Sequence, residues 1–216
     1  PLASKDKVII VGAGIGGLAS SVRLSHLGYQ VSVFEKAKNA GGKLRTIMGS
    51  TGDIDVGPTV LTLLPIFKKL FKSVGEDIFE HIELVRQKII ARHWWPDGTS
   101  LDLHDNFEAS RDAILSFSGS NSAHEFEKYF FDTKDLFSCF ETPVMQNPKP
   151  SLLDMNRAVL SNPRILTKIH PYRSLSGSLK LKFSDYRLQQ LFARYATYIG
   201  GSPLESPALL SLIWQA

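Results

Sequence analysis

Residues 7–35 read KVIIVGAGIGGLASSVRLSHLGYQVSVFE. Lys7 to Val11 is a short run rich in β-branched residues, which is typical of a buried strand. A glycine-rich turn follows, and then a largely apolar stretch that ends at Gly28, a residue suited to a helix terminus. Gln30 to Phe34 has the composition of a second buried strand and leads into Glu35. The segment therefore predicts one βαβ unit.

The turn after the first strand carries the spacing G-x-G-x-x-G at Gly12, Gly14 and Gly17. The first glycine permits the tight turn, the second lets the backbone approach a pyrophosphate, and the third lets the helix pack closely on the strand. Ala13 and Gly16 belong to the same loop, which leads to the amino terminus of the helix, where unpaired N–H groups attract phosphate. We expect a dinucleotide here; a glycine-rich turn of some other α/β protein is the alternative.

An acidic residue closes the second strand. Glu35 lies 18 residues after Gly17, where a carboxylate accepts hydrogen bonds from both hydroxyls of an adenosine ribose and repels a 2′-phosphate. Lys36 follows directly, and we include it among the expected cofactor contacts. This fingerprint by itself fits both NAD and FAD.

Two further segments in the glycine-rich and turn-rich region 39–59 bear on the cofactor. Gly41-Gly42-Lys43-Leu44-Arg45 brings backbone close to a cofactor and flanks it with two cations that can neutralise pyrophosphate. The alternative for Lys43 and Arg45 is a solvated basic turn. Asp55-Val56-Gly57-Pro58-Thr59 can lay N–H groups beside a flavin ring, and its alternative is an ordinary turn.

The next part of the chain predicts a helix and a strand pair. Apolar residues recur at helical spacing from Leu63 to Val74, with three lysines off that stripe. We favour a helix packed on the sheet with its lysines in water; a helix lying on a membrane is the alternative. Apolar and polar residues alternate over residues 82–103, with a turn at Pro96-Asp97-Gly98. This pattern predicts antiparallel strands. Trp94 and Trp95 are expected to fill a core, and lining an apolar channel is the alternative.

Most of the remaining sequence is helical in pattern. The pattern starts at Phe107, is interrupted by prolines between 143 and 150, resumes over 152–198, and recurs from about Ser206. We therefore predict two domains. Residues 1–80 form an α/β, Rossmann-like βαβ portion, and residues 81–216 form an α+β portion of antiparallel strands and helices.

Composition excludes several classes of function. The 216 residues carry a net charge of +4 with the basic residues scattered, which argues against nucleic acid and suits a mildly anionic surface. Cys139 is the single cysteine, so no intrachain disulfide or cysteine metal site can form, and we expect a buried, inert thiol. The six histidines lack metal-ligand spacing, so no metal is expected and they are interpreted as structural or solvent-facing.

No apolar run approaches the ~20 residues that a bilayer-spanning helix needs, and residues 1–7 lack the apolar core of a signal peptide. These features predict a protein that is cytoplasmic or peripheral to a membrane. The chain starts without methionine and stops at Ala216 within an apolar, helix-like pattern, so both ends are interpreted as cuts.

Taken together, residues 12–17, 41–45 and 55–59 resemble the flavin superfamily of amine oxidases and carotenoid desaturases. Residues 57–62, 91–99 and 194–203 narrow the resemblance to the bacterial carotenoid desaturases, within them to the desaturases of 1-hydroxycarotenoids. The similarity extends over essentially the whole chain.

The resemblance implies FAD as the cofactor, with a Rossmann-like FAD-binding domain followed by a partial substrate domain. Gly57 and Thr59 would lie near the flavin, and Lys43 stands where the superfamily often has arginine. The residues implied or expected to bind the cofactor are Gly12, Ala13, Gly14, Gly16, Gly17, Glu35, Lys36, Gly42, Lys43, Arg45, Gly57 and Thr59.

The resemblance also implies an activity: hydride transfer from an acyclic carotenoid to the flavin, for this group at the C3–C4 bond of a 1-hydroxycarotenoid. Desaturation of phytoene or neurosporene, or a non-catalytic prenyl-lipid-binding role, is the alternative. No general base can be named, because no catalytic constellation is evident. Such an apolar substrate implies a membrane surface, at the cytoplasmic side of the inner membrane. Family members are about twice this length, so the fragment alone is expected to bind FAD poorly and to be inactive.

Overall fold

The computed structural model describes residues 6–58 and 61–216 of the chain. Its residues divide into two compact units, Pro1–Leu84 and Val85–Ala216. The division lies close to the predicted boundary at residue 80. The assignment of one unit to the cofactor and the other to the substrate stays a prediction, because compactness assigns no role.

The first unit begins with the predicted βαβ motif. Strand β1 (Lys7–Val11) pairs in parallel with strand β2 (Gln30–Phe34), and helix α1 (Ile15–His26) connects them. The helix ends at Leu27, and Gly28 follows at φ +91°, a left-handed conformation that glycine adopts at no steric cost. The βαβ prediction is confirmed.

The rest of the first unit contains more regular structure than the sequence indicates. Strands β3 (Thr46–Met48) and β4 (Asp53–Asp55) form an antiparallel pair within the region predicted as turns. Helix α2 (Leu64–Lys72) follows, and then a 3₁₀ turn at Ile78–Glu80. The predicted helix is therefore confirmed, and the description of residues 39–59 as loop was wrong for this hairpin.

The small parallel sheet exposes apolar side chains. Val11 is 87% exposed, and Ile9 and Phe34 are more than half exposed. Parallel sheets are usually covered on both faces, which is why their strands read as continuous apolar runs. The composition of β1 and β2 therefore matches strands that are more deeply buried than they are within this chain.

The second unit opens with a β-hairpin. Strand β5 (Ile89–Trp94) pairs antiparallel with strand β6 (Ser100–His104), with an irregularity in register near Ile89. The predicted turn is confirmed, since the Gly98 N–H donates to the Trp95 carbonyl oxygen at 3.0 Å. Residues 82–88 were expected to be strand as well, but they are irregular.

Helices make up most of the second unit, but they are shorter than the sequence pattern indicates. Helix α3 (Phe107–Phe140) is broken at Gly119, whose φ of +85° and ψ of 177° are not helical. The predicted block 152–198 is divided into separate helices, and the last predicted helix is a 3₁₀ segment, Ala208–Gln215. The further helices are α4 (Leu152–Ser161), α5 (Leu166–Ile169), α6 (Leu175–Lys182) and α7 (Tyr186–Ala193), with a π-helical turn at Glu141–Met145 and 3₁₀ turns at Pro163–Ile165 and Arg194–Ile199. Among the described residues, no helix combines the length and apolar character needed to cross a bilayer.

An aromatic core holds the second unit together. Phe126 and Phe192 are fully buried with ring centroids 6.0 Å apart, and Trp214 packs edge-on to both rings. Trp95 packs at the edge of this core, where its indole N–H donates to the Gln190 side chain at 3.0 Å. Its neighbour Trp94 is exposed. The core role expected for both tryptophans therefore fits Trp95 and was wrong for Trp94.

One carboxylate in this unit predicts a pH-dependent contribution to stability. Asp185 caps α7 and accepts hydrogen bonds from the Arg187 side chain, the Ser118 hydroxyl and the Arg187 N–H, which hold its pKa at about 2 against an ordinary 3.8. Because the folded pKa is the lower one, this stabilisation is complete above the unfolded pKa and is lost as pH falls towards about 2.

We therefore expect Asp185→Asn to lower the urea midpoint at neutral pH. The difference in urea midpoint between the variant and the parent should become smaller as the pH is lowered below about 4. Urea unfolding followed by tryptophan fluorescence at several pH values measures this, with Asp112→Asn on an exposed part of α3 as the control. A gap that is independent of pH would contradict the assignment.

Candidate functional site

The glycine loop is built by the junction of β1 and α1. Gly12 takes a φ of +101°, and its N–H donates to the Phe34 carbonyl oxygen at 2.7 Å, which ties the loop to the end of β2. Gly14 caps α1 in an extended conformation. A Cβ added to Gly17 would lie 2.0 Å from the Gly12 carbonyl oxygen. The first turn of α1 can therefore sit this close to the end of β1 only if residue 17 is glycine.

Glu35 is joined directly to this loop. One carboxylate oxygen accepts the Ala13 N–H at 2.7 Å, and the other accepts the Ala37 N–H at 2.8 Å. The hydrogen bonds from Ala37 and Ala13 lower the pKa of Glu35, so the group is a carboxylate at neutral pH. An ionised carboxylate has about four acceptor sites. The carboxylate therefore keeps acceptor capacity for hydroxyl donors beside these bonds.

The second glycine segment packs against the first. The Gly41 N–H donates to the Ala13 carbonyl oxygen at 2.8 Å. Gly42 has a φ of +63°, and a Cβ on it would come within 3.0 Å of the Gly14 Cα. The structure thus brings together the two glycine segments that the sequence places about 30 residues apart.

Gly57 belongs to the same assembly. A Cβ on Gly57 would lie 2.0 Å from the Lys43 carbonyl oxygen, so the chain after β4 runs tightly against the segment before β3. The Val56 N–H donates to the Arg45 carbonyl oxygen at 3.0 Å, so this N–H already has a hydrogen-bond partner within the protein. Thr59, the other residue expected near the flavin, lies outside the described residues.

The three expected cationic contacts are Lys36, Lys43 and Arg45. All three side chains are exposed, and none makes an ion pair with another part of the described chain. They lie on the segments that flank the glycine loop, at the positive end of the α1 dipole. The arrangement places exposed positive charge near the loop, while the particular contacts of these side chains stay predictions.

Sequence reasoning missed two residues of this assembly. Ala37 holds Glu35 through its N–H group, and nothing in an alanine side chain signals that role. Gly41 takes a φ of +129° and contacts Ala13, but the sequence prediction singled out its neighbour Gly42. The glycine pair was the available signal, since two adjacent glycines mark a backbone that needs unusual torsion angles.

Cys139 belongs to the second unit. It is partly buried, and its thiol donates to the Ala158 carbonyl oxygen at 3.5 Å. Burial raises the pKa of the Cys139 thiol, so little thiolate is present at neutral pH. The geometry agrees with an inert thiol, although the side chain is less buried than expected.

The fold of the site region is matched by a known domain family. Residues 10–75 match the NAD(P)-binding Rossmann-like domain. This match begins in the last two residues of β1 and covers α1, β2, both glycine segments and Glu35. The predicted fold class, α/β with a Rossmann-like βαβ motif, is confirmed.

The chain as a whole is similar in sequence to carotenoid desaturases. It is 41% identical over 210 residues to the hydroxyneurosporene desaturase of Cereibacter sphaeroides, covering 97% of this chain and 42% of that protein. It is 32% identical over 215 residues to the 1-hydroxycarotenoid 3,4-desaturase of a Flavobacterium species, covering 96% of this chain and 42% of that one. The chain thus spans about two fifths of the length of these relatives.

Solved structures share the fold at low sequence identity. A triple mutant of putrescine oxidase superposes with a TM-score of 0.60 at 15% identity, over 97% of this chain and 41% of that one. At this identity the likeness concerns the fold alone. It agrees with the Rossmann-like assignment.

Proposed function

We propose that this chain is part of an FAD-dependent oxidoreductase that desaturates an acyclic carotenoid. The preferred substrate is a 1-hydroxycarotenoid, dehydrogenated at its C3–C4 bond. The observation that carries the proposal is the 41% identity, over 97% of this chain, to a hydroxyneurosporene desaturase. The name of the relative at 32% identity, 1-hydroxycarotenoid 3,4-desaturase, also specifies a 1-hydroxycarotenoid.

The glycine loop and Glu35 support an adenine dinucleotide. Gly12, Gly14 and Gly17 provide close backbone approach, and the N–H groups that begin α1 would face the pyrophosphate. Glu35 stays ionised and keeps acceptor sites for the two ribose hydroxyls, while its charge disfavours a 2′-phosphate. The proposed contacts on the second glycine segment are Gly42, Lys43 and Arg45.

FAD is the member of this cofactor class that suits a desaturase, because a bound flavin accepts the hydride that leaves the substrate. The residues of this chain then bind and orient the cofactor. Gly57 and Thr59 are proposed to lie near the flavin, and Lys36 near the adenosine end beside Glu35. No general base is assigned.

The exposed strands support a longer protein. Val11 and Ile9 on β1 and Phe34 on β2 lack cover within the described chain, and the chain spans 42% of its relative. We propose that residues 1–80 belong to an FAD-binding domain and residues 81–216 to a partial substrate domain. Residues 1–216 alone should bind FAD poorly and show no desaturation, because the chain spans only 42% of the length of that relative and leaves β1 and β2 exposed.

A membrane surface is the proposed partner. Acyclic carotenoids are too apolar to be supplied through water, so an enzyme that uses them must meet them at a lipid surface. We therefore place the full-length protein at the cytoplasmic face of the inner membrane. The lysines of α2 would suit such a surface, but its apolar side chains are mostly half-buried in the protein.

The test is anaerobic reduction of the flavin by substrate. The full-length protein is purified with FAD, and its absorption spectrum is recorded before and after 1-hydroxyneurosporene is added. We expect bleaching of the flavin bands together with a red-shifted carotenoid. Bleaching with phytoene or neurosporene but not with the hydroxylated substrate would refute the substrate assignment. Failure to bind flavin would refute the enzyme assignment and favour a prenyl-lipid-binding protein of the same fold.

A further inference from the structure

Helix α5 (Leu166–Ile169) ends at a strained histidine. His170 follows the helix with a φ of +46° and a ψ of 61°, a left-handed conformation that residues other than glycine rarely adopt. The Arg173 N–H donates to the His170 carbonyl oxygen at 3.0 Å, so the strained residue begins a tight turn. We name residues 163–173, which contain α5 and this turn, the α5 segment. Backbone strain of this kind persists only where the surrounding structure holds the residue in place.

The imidazole ring of His170 lies among charged groups. Its Nε2 atom is buried and has no hydrogen-bond partner among the described residues. Lys182 on α6 and Arg173 act on the ring as positive charges, and Asp132 on α3 acts as a negative one. Asp132 is already shared, since its two oxygens lie 3.1 Å from the Lys168 Nζ and 2.6 Å from the Lys182 Nζ. A proton on the ring would therefore bring a further positive charge to a carboxylate that two lysines already neutralise.

The neutral form of His170 suits this position. Burial, and then the charges of Lys182 and Arg173, lower the pKa of His170 below its ordinary 6.5, while Asp132 opposes the shift. In an opened segment the ring is in water and takes up a proton at its ordinary pKa. Because the folded pKa is the lower one, the stability that the neutral ring contributes is complete above pH 6.5 and is lost as the pH falls below it.

We propose that His170 is a pH-sensitive switch, which releases the α5 segment from its neighbours when the ring takes up a proton. Two sets of contacts hold the segment closed. Ile165 is buried in the small core that contains Phe140, and the Lys168 Nζ lies 2.6 Å from an Asp135 oxygen. Opening would relieve the left-handed backbone and would carry the charged ring into water in the same step. The switch is independent of the proposed function, because it needs neither flavin nor carotenoid.

The experiment is hydrogen exchange of the FAD-loaded full-length protein, measured by mass spectrometry of peptides from residues 163–173. Exchange is followed from pH 7.5 to 5.5 and corrected for the pH dependence of the exchange chemistry. The opened fraction should rise about 3- to 10-fold, because one group changes an equilibrium by at most about 10-fold per pH unit below its ordinary pKa. Asp132, Lys168 and Lys182 keep their charges over this range, so they add no such dependence.

Two substitutions remove the titrating ring and keep the turn. His170→Asn places a residue that tolerates the left-handed conformation, and His170→Gly places one that adopts a φ of +46° without strain. In both variants the opened fraction should change by less than about 2-fold over the range. The matched control is His124→Gln, an exposed histidine of α3, which should keep the dependence of the parent.

Circular dichroism and flavin content establish that each variant is folded, and the glycine variant carries the test if the asparagine variant is not. Loss of the pH dependence in a folded variant, with the dependence retained in His124→Gln, supports the switch. A parent whose opened fraction is the same at pH 7.5 and 5.5 would overturn the proposal. So would a dependence that survives the removal of the ring, because another group would then be titrating.

Discussion

In the full-length protein, Gly17→Ala is expected to weaken FAD binding by about 10- to 100-fold, although the change adds one methyl group. The reason is the packing of α1 on the end of β1. The added Cβ would lie 2.0 Å from the Gly12 carbonyl oxygen and 3.4 Å from the Ile10 side chain. Because the nearest atom is backbone, the strain cannot be relieved by a rotamer change. The helix must move away from the turn, and the N–H groups proposed to face the pyrophosphate move with it.

Ser20→Ala is the control for this prediction, because Ser20 is an exposed residue of α1 outside the expected cofactor contacts. The substitution adds no atom that could clash, and alanine has the higher helix propensity. Flavin fluorescence titration should give the Ser20→Ala variant an affinity within about 3-fold of the parent, with equal or higher thermal stability. Equal affinity in both variants would mean that the loop does not position the cofactor.

The elements of the first unit could be predicted where their causes are local. Strands β1 and β2 have the predicted bounds because β-branched runs between glycine-rich turns define them without help from distant residues. The dinucleotide loop was predictable for the same reason, since its glycines are required by torsion angles and contacts within one βαβ unit. The close contact between Gly14 and Gly42 was harder to predict from the sequence, because it depends on how a separate segment folds back onto the loop.

Three features were missed, and the reasons differ. Gly119 breaks α3 although the apolar spacing continues on both sides of it, and the neighbouring Ser118 hydroxyl donates to Asp185, far away in the sequence. His170 ends α5 in a left-handed conformation, which a sequence pattern does not predict for histidine. The β3–β4 hairpin was obscured by glycines that look like a loop. At Gly119 a contact between distant residues accompanies the loss of the local helical preference, whereas the hairpin is local structure whose glycines resemble those of a loop.

The exposed apolar residues illustrate a further limit of local reasoning. The composition of β1 predicts a buried strand, yet Val11 is 87% exposed in the structure. The composition describes the environment for which the strand is suited, and the proposed longer protein would supply that environment. Helix α4 shows the same limit, because Leu152, Leu153 and Leu160 are exposed although the other side of the helix packs on the core.

Glu35→Gln should weaken FAD binding by about 10- to 100-fold, because hydrogen bonds that involve an ionised acceptor are stronger than neutral ones. The glutamine has one carbonyl oxygen, whereas the carboxylate accepts the Ala13 and Ala37 N–H groups on different oxygens. One of these N–H groups would then face an amide NH₂, and the ribose hydroxyls would lose an acceptor.

Isothermal titration of the full-length apoprotein with FAD measures this loss, and Glu83→Gln, an exposed glutamate of the same unit, is the control. Glu35→Asp separates the contribution of the charge from that of the hydrogen bond to Ala13, because aspartate keeps the charge but is shorter by one methylene. If charge alone matters, Glu35→Asp should bind nearly as well as the parent; if the link to Ala13 positions the loop, it should bind as weakly as the glutamine variant. The 2.7 Å bond to Ala13 favours the second result. Parent-like affinity of Glu35→Gln would show that the carboxylate acts only within the protein and does not contact the ribose.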